Sequence, residues 1–481
     1  MLEEVVTLPQ NYIPRRKTGM TSKRYLSFGL LALTVATVVG CGPKPEVSRV
    51  QAIIEEAQTL DRNELYAKAI EELHGKEMNA VGNSSRGKTA QEYFIEFLKG
   101  RTFNTATSAY EDDAAVRAAF PQYKADLNAK INWTQPKNNQ IFAQIANDVR
   151  SANPTLSMTL IQDGSQIQSK MIETGNLLNY IPKEWNGNVD TNGKPFALQS
   201  LNKVFMYNNL NEDKTFNNMW DFVREGEKPM FMGPESEPVG KNALLMMTRE
   251  DYSNVIKEAY DALTGAEKTR IDAVVTGTAT EKGTAAEALD LGLTHANAKY
   301  ALAWIKLWIK QYNKMTDDGP IMVELAKNTA VGESGLLVYS KLRSIGETEL
   351  SSKKNVEVAA YNSGYKGLGG FMYKHYLQVL KTSPLPWTSV AFIHYMTTTM
   401  KGFEPWGKDI GGYSSDPAVT PDHSKDGKGA GTDAAPEFPV LNDRGYTWWT
   451  TNEAGKGRLV IEDPVYASSV SYTVGDWISL I

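Results

Sequence analysis

One cysteine, Cys41, stands in 481 residues. No intrachain disulfide can form, and zinc sites built on several thiolates are excluded. Histidine is sparse as well. His74, His295, His375, His394 and His423 are scattered with no H-x-x-x-H pair, so a histidine-rich metal site is not encoded. There is no basic excess: 51 Lys and Arg against 56 Asp and Glu leave a net charge of -5, which argues against a nucleic-acid partner. G-x-S-x-G, H-E-x-x-H and a cysteine-nucleophile motif are missing. No internal repeat is found. What remains is ordinary for a soluble globular protein, with 41% hydrophobic and 22% charged residues. The length implies two lobes rather than one core.

The N-terminus bears on the compartment. Residues 20–41 read MTSKRYLSFGLLALTVATVVGC. Lys23 and Arg24 precede a largely apolar run, Phe28 to Val39, which is short for a membrane span but suits a signal-peptide core. Val38-Val39-Gly40-Cys41 resembles the bacterial lipobox, in which the cysteine is lipidated and becomes the first mature residue. An ordinary signal sequence and a short membrane anchor are the other readings. Residues 1–19 read as an upstream extension, and Met1 and Met20 are both candidate starts. A lipidated Cys41 would place the mature chain outside the cytoplasm, tethered by acyl chains.

Gly82-Asn83-Ser84-Ser85-Arg86-Gly87-Lys88-Thr89 fits the G-x-x-x-x-G-K-[ST] pattern of a nucleotide-binding loop. Little ATP exists outside the membrane. The strand that should end in a magnesium-holding Asp has only one near match, LSMTLIQD ending at Asp163, and Gln162 interrupts it. The pattern therefore reads as a strand-to-helix loop. Glu77 to Val81 is the strand, Thr89-Ala90-Gln91-Glu92 fits a capping box, and a helix starts near Ala90.

Further along, Gln140 to Val149 has helical period and Leu156 to Ile161 is a buried-strand candidate. A helix with Ile167 and Met171 follows. Phe196 to Tyr207 reads as extended. Lys241 to Val275 and Ala298 to Met315 read as helical. The stripe Tyr300, Trp304, Leu307, Trp308 and Tyr312 suits core packing, with a sugar-stacking platform as the alternative. Gly335 to Tyr339 and Val356 to Tyr361 read as strands. Phe371 to Leu380 and Val390 to Met400 read as helices, and Asp416 to Pro439 as a surface loop. The alternation predicts an α/β fold with a largely parallel sheet.

Several stretches in order resemble one family. They are the lipobox, the strand-loop-helix unit, FALQSLNKVFMYNN, Thr215 to Asp221 (TFNNMWD), Met232-Gly233-Pro234 before a helix, GLLVYSKLR, and Ala391 to Met396 (AFIHYM). Together they resemble the extracellular solute-binding proteins of bacterial ABC importers, over about Lys76 to Met400. The resemblance implies a two-lobed, type II periplasmic-binding-protein fold with a ligand cleft between α/β lobes. FALQSLNKVFMY would cross from the first lobe to the second, and the GLLVYS to VEVAAY region would bring the chain back. The organisation expected is an extension and signal peptide (1–40), a tether and first helix (41–75), lobe 1 (76–200), lobe 2 (201–340), a return with hinge-packing helices (341–400) and a C-terminal extension (401–481).

The same resemblance places candidate ligand contacts at the ends of strands. Asn83, Ser84, Ser85 and Arg86 offer donors beside a helix N-terminus; a turn that merely caps the helix is the other reading. Gln162 and Asp163 close the next strand, where Asp163 either meets a ligand or starts a helix. Tyr339, Ser340 and Lys341, with Arg343, either clamp an anion or are solvated. Tyr361 and Tyr365 bind ferric iron, stack on a sugar, or pack a loop. Asp422 to Asp433 mimics a calcium loop but lacks flanking helices, and reads as a surface loop. The expectation is a non-enzymatic, monomeric carrier without cofactor, catalytic residue or resident metal. It would pass a small solute to an ABC permease. A carbohydrate is the first ligand expected, from the 10 Trp and 22 Tyr, and an anionic or ferric ligand the second. A surface glycoside hydrolase with two separated carboxylates stays open.

Overall fold

A computed structural model describes residues 48–136, 138–211, 213–235, 237–345, 355–407, 411–419, 445–450 and 458–481. Cys41 and the segment 422–433 lie outside the described residues, as does the side chain of Arg343. Helices Arg49–Ala57 and Arg62–Leu73 come first. Asp61 starts the second one: its carboxylate accepts from the N–H groups of Asn63 and Glu64, and Glu64 accepts from the Asp61 N–H in return.

The strands are β1 (Lys76–Gly82), β2 (Arg101–Asn104), β3 (Ala109–Asp112), β4 (Ala129–Thr134), β5 (Leu156–Ile161), β6 (Leu177–Leu178) and β7 (Ala197–Asn208). Then come β8 (Met230–Met232), β9 (Asn313–Met315), β10 (Ser334–Val338), β11 (Val356–Val358), β12 (Leu368–Leu380), β13 (Gly412–Ser414) and β14 (Arg458–Ile461). β2 and β3 pair only with each other. The others share one mixed sheet of order β4-β1-β5-β12-β7-β10-β8-β9, in which β6 and β14 also pair with β12, and β11 and β13 with β7. β1 is parallel to β4 and β5, and β8 is parallel to β9 and β10, so each half of the sheet has its own parallel set.

Two long strands join the halves. β7 and β12 are antiparallel and every residue of both is buried. β5 ends with Ile161 opposite Tyr376, which pairs with Ala197. β10 runs antiparallel to β7 and ends with Val338 opposite Lys203. The carboxyl ends of the two parallel sets therefore face each other along β7, from Ala197 to Lys203. At the strand rise per residue that is roughly 20 Å. A gap therefore lies between the facing strand ends of the two halves. Each half has its own apolar packing, one around Tyr66, Phe94, Phe392 and Tyr395, the other around Phe205, Phe222, Trp304 and Trp308.

Most expected elements are present, with four corrections. Phe371 to Leu380 was expected as a helix and forms the last ten residues of β12. A strand buried on both faces shows no alternation, so an apolar run of this length carries no decisive period. At its start Gly370 allows close approach to β7: its φ is +149°, and a Cβ there would lie 2.2 Å from the carbonyl oxygen of Lys203 on the neighbouring strand. Second, the chain does not return through the GLLVYS to VEVAAY region. β10 and β11 both pair with β7 in the second half, and β12 makes the return. Third, the helix Ala298–Gln311 stops before Asn313, and Asn313–Met315 becomes edge strand β9 against β8. Its tryptophans are core residues: Trp304 and Trp308 stack at 5.0 Å and are fully buried. Fourth, the helix after β1 begins at Gly87, with no side-chain cap at Arg86, so Thr89 is not its capping residue.

Candidate functional site

The loop after β1 closes around an indole. The Trp133 Nε1–H donates to the carbonyl oxygen of Ser84 at 2.8 Å. A Cβ on Gly82 would lie 2.2 Å from the Trp133 ring, and one on Gly87 2.0 Å from it. Both glycines of the nucleotide-loop pattern are thus explained by a tryptophan seated against them, since neither leaves room for a side chain.

Asn83 ties the loop to the next strand end, accepting from the Gln162 N–H at 2.9 Å. Ser84 and Arg86 are half-buried and Ser85 is exposed. Arg86 Nη1 donates to the Trp406 carbonyl oxygen at 3.1 Å. The Gln162 amide meets His375 Nε2 at 2.6 Å, and the Gln199 amide meets Nδ1 at 2.9 Å. His375 is buried on β12. Burial first, and the Arg86 charge second, push its pKa down to about 3, so the imidazole is neutral. The structure therefore brings Asn83, Arg86 and Gln162 together around His375.

Asp163 has the helix-starting role. It is 1% exposed. It accepts from Ser165 Oγ at 3.0 Å, from the Gln166 N–H at 3.2 Å and from Asn242 Nδ2 at 3.2 Å. Asn242 lies on the helix Pro238–Met247 of the other half, so this bond links the two halves.

On the second face, Tyr339 follows β10 and is buried, and its hydroxyl lies 3.0 Å from that of Tyr361. Trp449 packs on both rings, at 5.8 Å and 5.4 Å, and Trp448 packs on Tyr361 at 5.1 Å. The expected pairing of Tyr361 with Tyr365 does not form: Tyr365 is buried and donates to the Leu368 carbonyl oxygen at 2.9 Å. Ser340 is buried, and Lys341 reaches Asp317 at 3.5 Å near the surface.

Four groups were missed in the sequence. Lys203, on β7, has no exposed side-chain surface and bridges Glu237 at 3.3 Å and Asp318 at 3.1 Å. Its own burial disfavours the charge, but Asp318 and Glu237 outweigh that and raise its pKa. Burial raises that of Glu237 against the pull of Lys203, as expected where two carboxylates share one ammonium. A lysine inside the apolar run FALQSLNKVFMY was the available signal, because a buried lysine needs a partner. The second group is His375, already described.

The third is Glu462, and the fourth Lys374, from β12. The Glu462 carboxylate accepts from Tyr376 Oη at 2.8 Å, from the Lys374 N–H at 3.2 Å and from Asn242 Nδ2 at 3.1 Å. Lys374 Nζ donates to the Thr191 carbonyl oxygen. Burial raises Glu462 to about 7, and burial lowers Lys374 to about 8.

No protein-family model matches the sequence, and neither does any curated protein. Solved structures do resemble the chain. Iron-bound HitA from Pseudomonas aeruginosa is 10% identical, with a TM-score of 0.49 over 83% of this chain and 97% of that one. Trichodesmium IdiA (FutA), in complex with iron and citrate, is 12% identical, with a TM-score of 0.48 over 84% and 99%. The ferric binding protein from Campylobacter jejuni is 12% identical, with a TM-score of 0.49 over 83% and 99%. Among the described residues no helix is long and apolar enough to cross a membrane.

Proposed function

We propose that this chain is the solute-binding component of an ABC importer. It binds a small solute between two lobes outside the cytoplasmic membrane and passes it to a permease. In this reading Cys41 carries a lipid anchor and the carrier is a monomer that does no chemistry. In this reading the first lobe is 76–200 and the second runs from 201 to about 367, and β12 returns the chain to the first. The observation that carries the reading is the facing of two parallel strand sets across one pair of antiparallel crossing strands, because ligands bind outside the carboxyl ends of such strands.

For the ligand we infer an anionic solute ahead of a carbohydrate. Arg86 lies on the loop at the gap beside exposed Ser85. The carbohydrate expectation leaned on free aromatic surfaces, yet Trp220, Trp304, Trp308, Trp406 and Trp449 are fully buried. A ferric ligand is the second reading, favoured by the 3.0 Å approach of the Tyr339 and Tyr361 hydroxyls. Phenolate oxygens suit a hard trivalent cation, and their coordination would give a visible charge-transfer band.

The test is a thermal-shift screen with sugars, polyamines, phosphate esters and ferric chelates. A ligand at a hundredfold excess over its Kd stabilises the fold by about 2.7 kcal/mol. A chain that no solute stabilises, or one that turns a solute over, would refute the reading.

A further inference from the structure

The interlobe gap is lined by this chain's own C-terminal extension. On one edge, β13 pairs with β7 at Gln199, Ser200 and Leu201. The Asn202 N–H donates to Gly411 at 2.8 Å and the Ser415 N–H donates to Leu198 at 3.0 Å, so the ladder spans the interval between the facing strand ends. On the other edge, β14 pairs with β12 up to Met372, and the Glu462 N–H donates to the Met372 carbonyl oxygen at 2.9 Å. β5 takes over that edge at Tyr376. Glu462 is thus the residue inserted where β14 stops and β5 has not begun.

The residues after it bridge the two halves. The helix Pro464–Val470 packs on Gly164–Gln166 of the first half and on Pro238–Met247 of the second. Tyr466 meets Thr248 Oγ1 at 2.9 Å. Candidate ligand residues are met by the same extension: Arg86 by Trp406, Tyr361 by Trp448 and Trp449, and Tyr339 by Trp449 and Gly411. A Cβ on Gly411, whose φ is +68°, would lie 2.5 Å from the Tyr339 ring.

The Glu462 side chain sits in a cradle of hydrogen-bond donors. Three donors converge on it from two segments: a phenol and a main-chain N–H from β12, and a side-chain amide from the helix Pro238–Met247. Gly164 supplies room, since a Cβ there would lie 2.7 Å from the Glu462 carboxyl carbon. The other charged groups nearby are Lys374, Asp163 and Asp463. Lys374 tilts this field towards an anion, while the two aspartates oppose it.

We propose that this cradle is a carboxylate subsite of the interlobe gap, and that the C-terminal extension fills it as an internal ligand that a solute carboxylate must displace. The inference rests on the solute-binding reading and adds to it a ligand class and a competitor.

The experiment compares the full chain with Glu462→Ala, using acetate, succinate and citrate as probes and chloride at equal ionic strength as control. In Glu462→Ala the emptied cradle takes the added carboxylate. Its melting temperature then rises by roughly 2–4 °C where wild type barely moves, and apparent affinity for the probe is about tenfold tighter than in wild type. In wild type the same probes speed hydrogen exchange at 459–462 and 412–414 together, while β1 and β5 stay protected. Equal shifts in both proteins would place the carboxylate elsewhere and overturn the inference, leaving the carrier reading intact. So would a wild type stabilised only by solutes without a carboxylate. Rescue of Glu462→Ala in a protein that no solute of the screen stabilises would support the subsite and sink the carrier reading. Should Glu462→Ala not fold, the wild-type exchange decides: unchanged protection at 459–462 with citrate overturns the proposal. Tyr376→Phe, which removes one donor, should weaken any probe effect.

Discussion

The phenol of Tyr376 donates to the Glu462 carboxylate at 2.8 Å, so a strand that crosses between the halves is bonded to the last part of the chain. Both residues are almost fully buried. Tyr376→Phe keeps the ring and deletes one of the donors on a buried carboxylate. A bond of this kind is worth about 1.5–3 kcal/mol. Urea unfolding should give a loss in that range with an unchanged m-value. A neutral substitution would mean that the carboxylate is not held as described.

Two buried groups should make stability depend on pH in opposite senses. Glu462 is raised by burial from 4.5 to about 7. Between those values the folded chain binds a proton that the unfolded chain has lost, so this contribution falls as pH rises from 4.5 to 7. His375 is lowered from 6.5 to about 3, again chiefly by burial. There the unfolded chain binds the extra proton, so this contribution is full above pH 6.5 and is lost as pH falls toward 3. The two partly cancel in wild type between 4.5 and 6.5. Single variants separate them. Relative to wild type, Glu462→Gln should gain stability as pH climbs from 5 to 7, and His375→Gln should gain as pH drops below 6. Flat difference profiles would contradict both assignments.

Lys203 is the only cation bonded to the buried carboxylates of Glu237 and Asp318 among the described residues. Lys203→Met strands two charges at the end of β10. Breaking a buried pair in this way costs about 3–5 kcal/mol. Adding Glu237→Gln and Asp318→Asn should recover much of that loss, because no uncompensated charge then remains. Denaturant midpoints of the single and triple variants measure it. A triple variant no better than Lys203→Met would mean that packing, not charge, dominates there.

The sequence carried the local units well and the long-range ones poorly. Leu156–Ile161 and the loop-to-helix step after Val81 were legible because strand, turn and helix periods lie within a few residues of each other. β12 was not, since Leu368 to Leu380 is enclosed on both faces and has no period to read. The loop residues Asn83, Arg86 and Gln162 were named from their place at strand ends, but His375, which the Gln162 amide meets, lies 213 residues beyond Gln162 and gives no local sign. The glycines of the apparent nucleotide loop were misleading for the same reason. What they accommodate is Trp133, a distant side chain on β4. The C-terminal extension gives no sign in the sequence of where it packs, yet β14 pairs with β12 and β13 with β7.

Ser85 and Arg86 should act on binding rather than on folding. Ser85 is exposed. Arg86 is half-buried and its guanidinium already reaches Trp406. Once a solute is found by thermal shift, Arg86→Ala should weaken it by about 1.5–3 kcal/mol, the range of a hydrogen bond to a charged group. Ser85→Ala should weaken it less. Calorimetric titration gives the affinities, and circular dichroism melting guards against unfolding. Unchanged affinity in both variants would remove the loop from the site.

Gly87 and Trp133 should behave as one coupled unit. A Cβ at position 87 would stand 2.0 Å from the indole, far inside contact distance, and the indole is held in place by its bond to the Ser84 carbonyl oxygen. Gly87→Ala should therefore cost about 1–3 kcal/mol through overpacking, although alanine favours a helix start more than glycine does. Trp133→Ala alone removes a buried indole and should cost about 3–5 kcal/mol. In the double variant the added methyl enters the space that the indole has left. Its loss should fall below the sum of the singles by at least about 1 kcal/mol, a coupling that a double-mutant cycle resolves. Strict additivity would mean that Gly87 is set by something other than Trp133, and an anion held by the loop backbone would then be the first alternative to test.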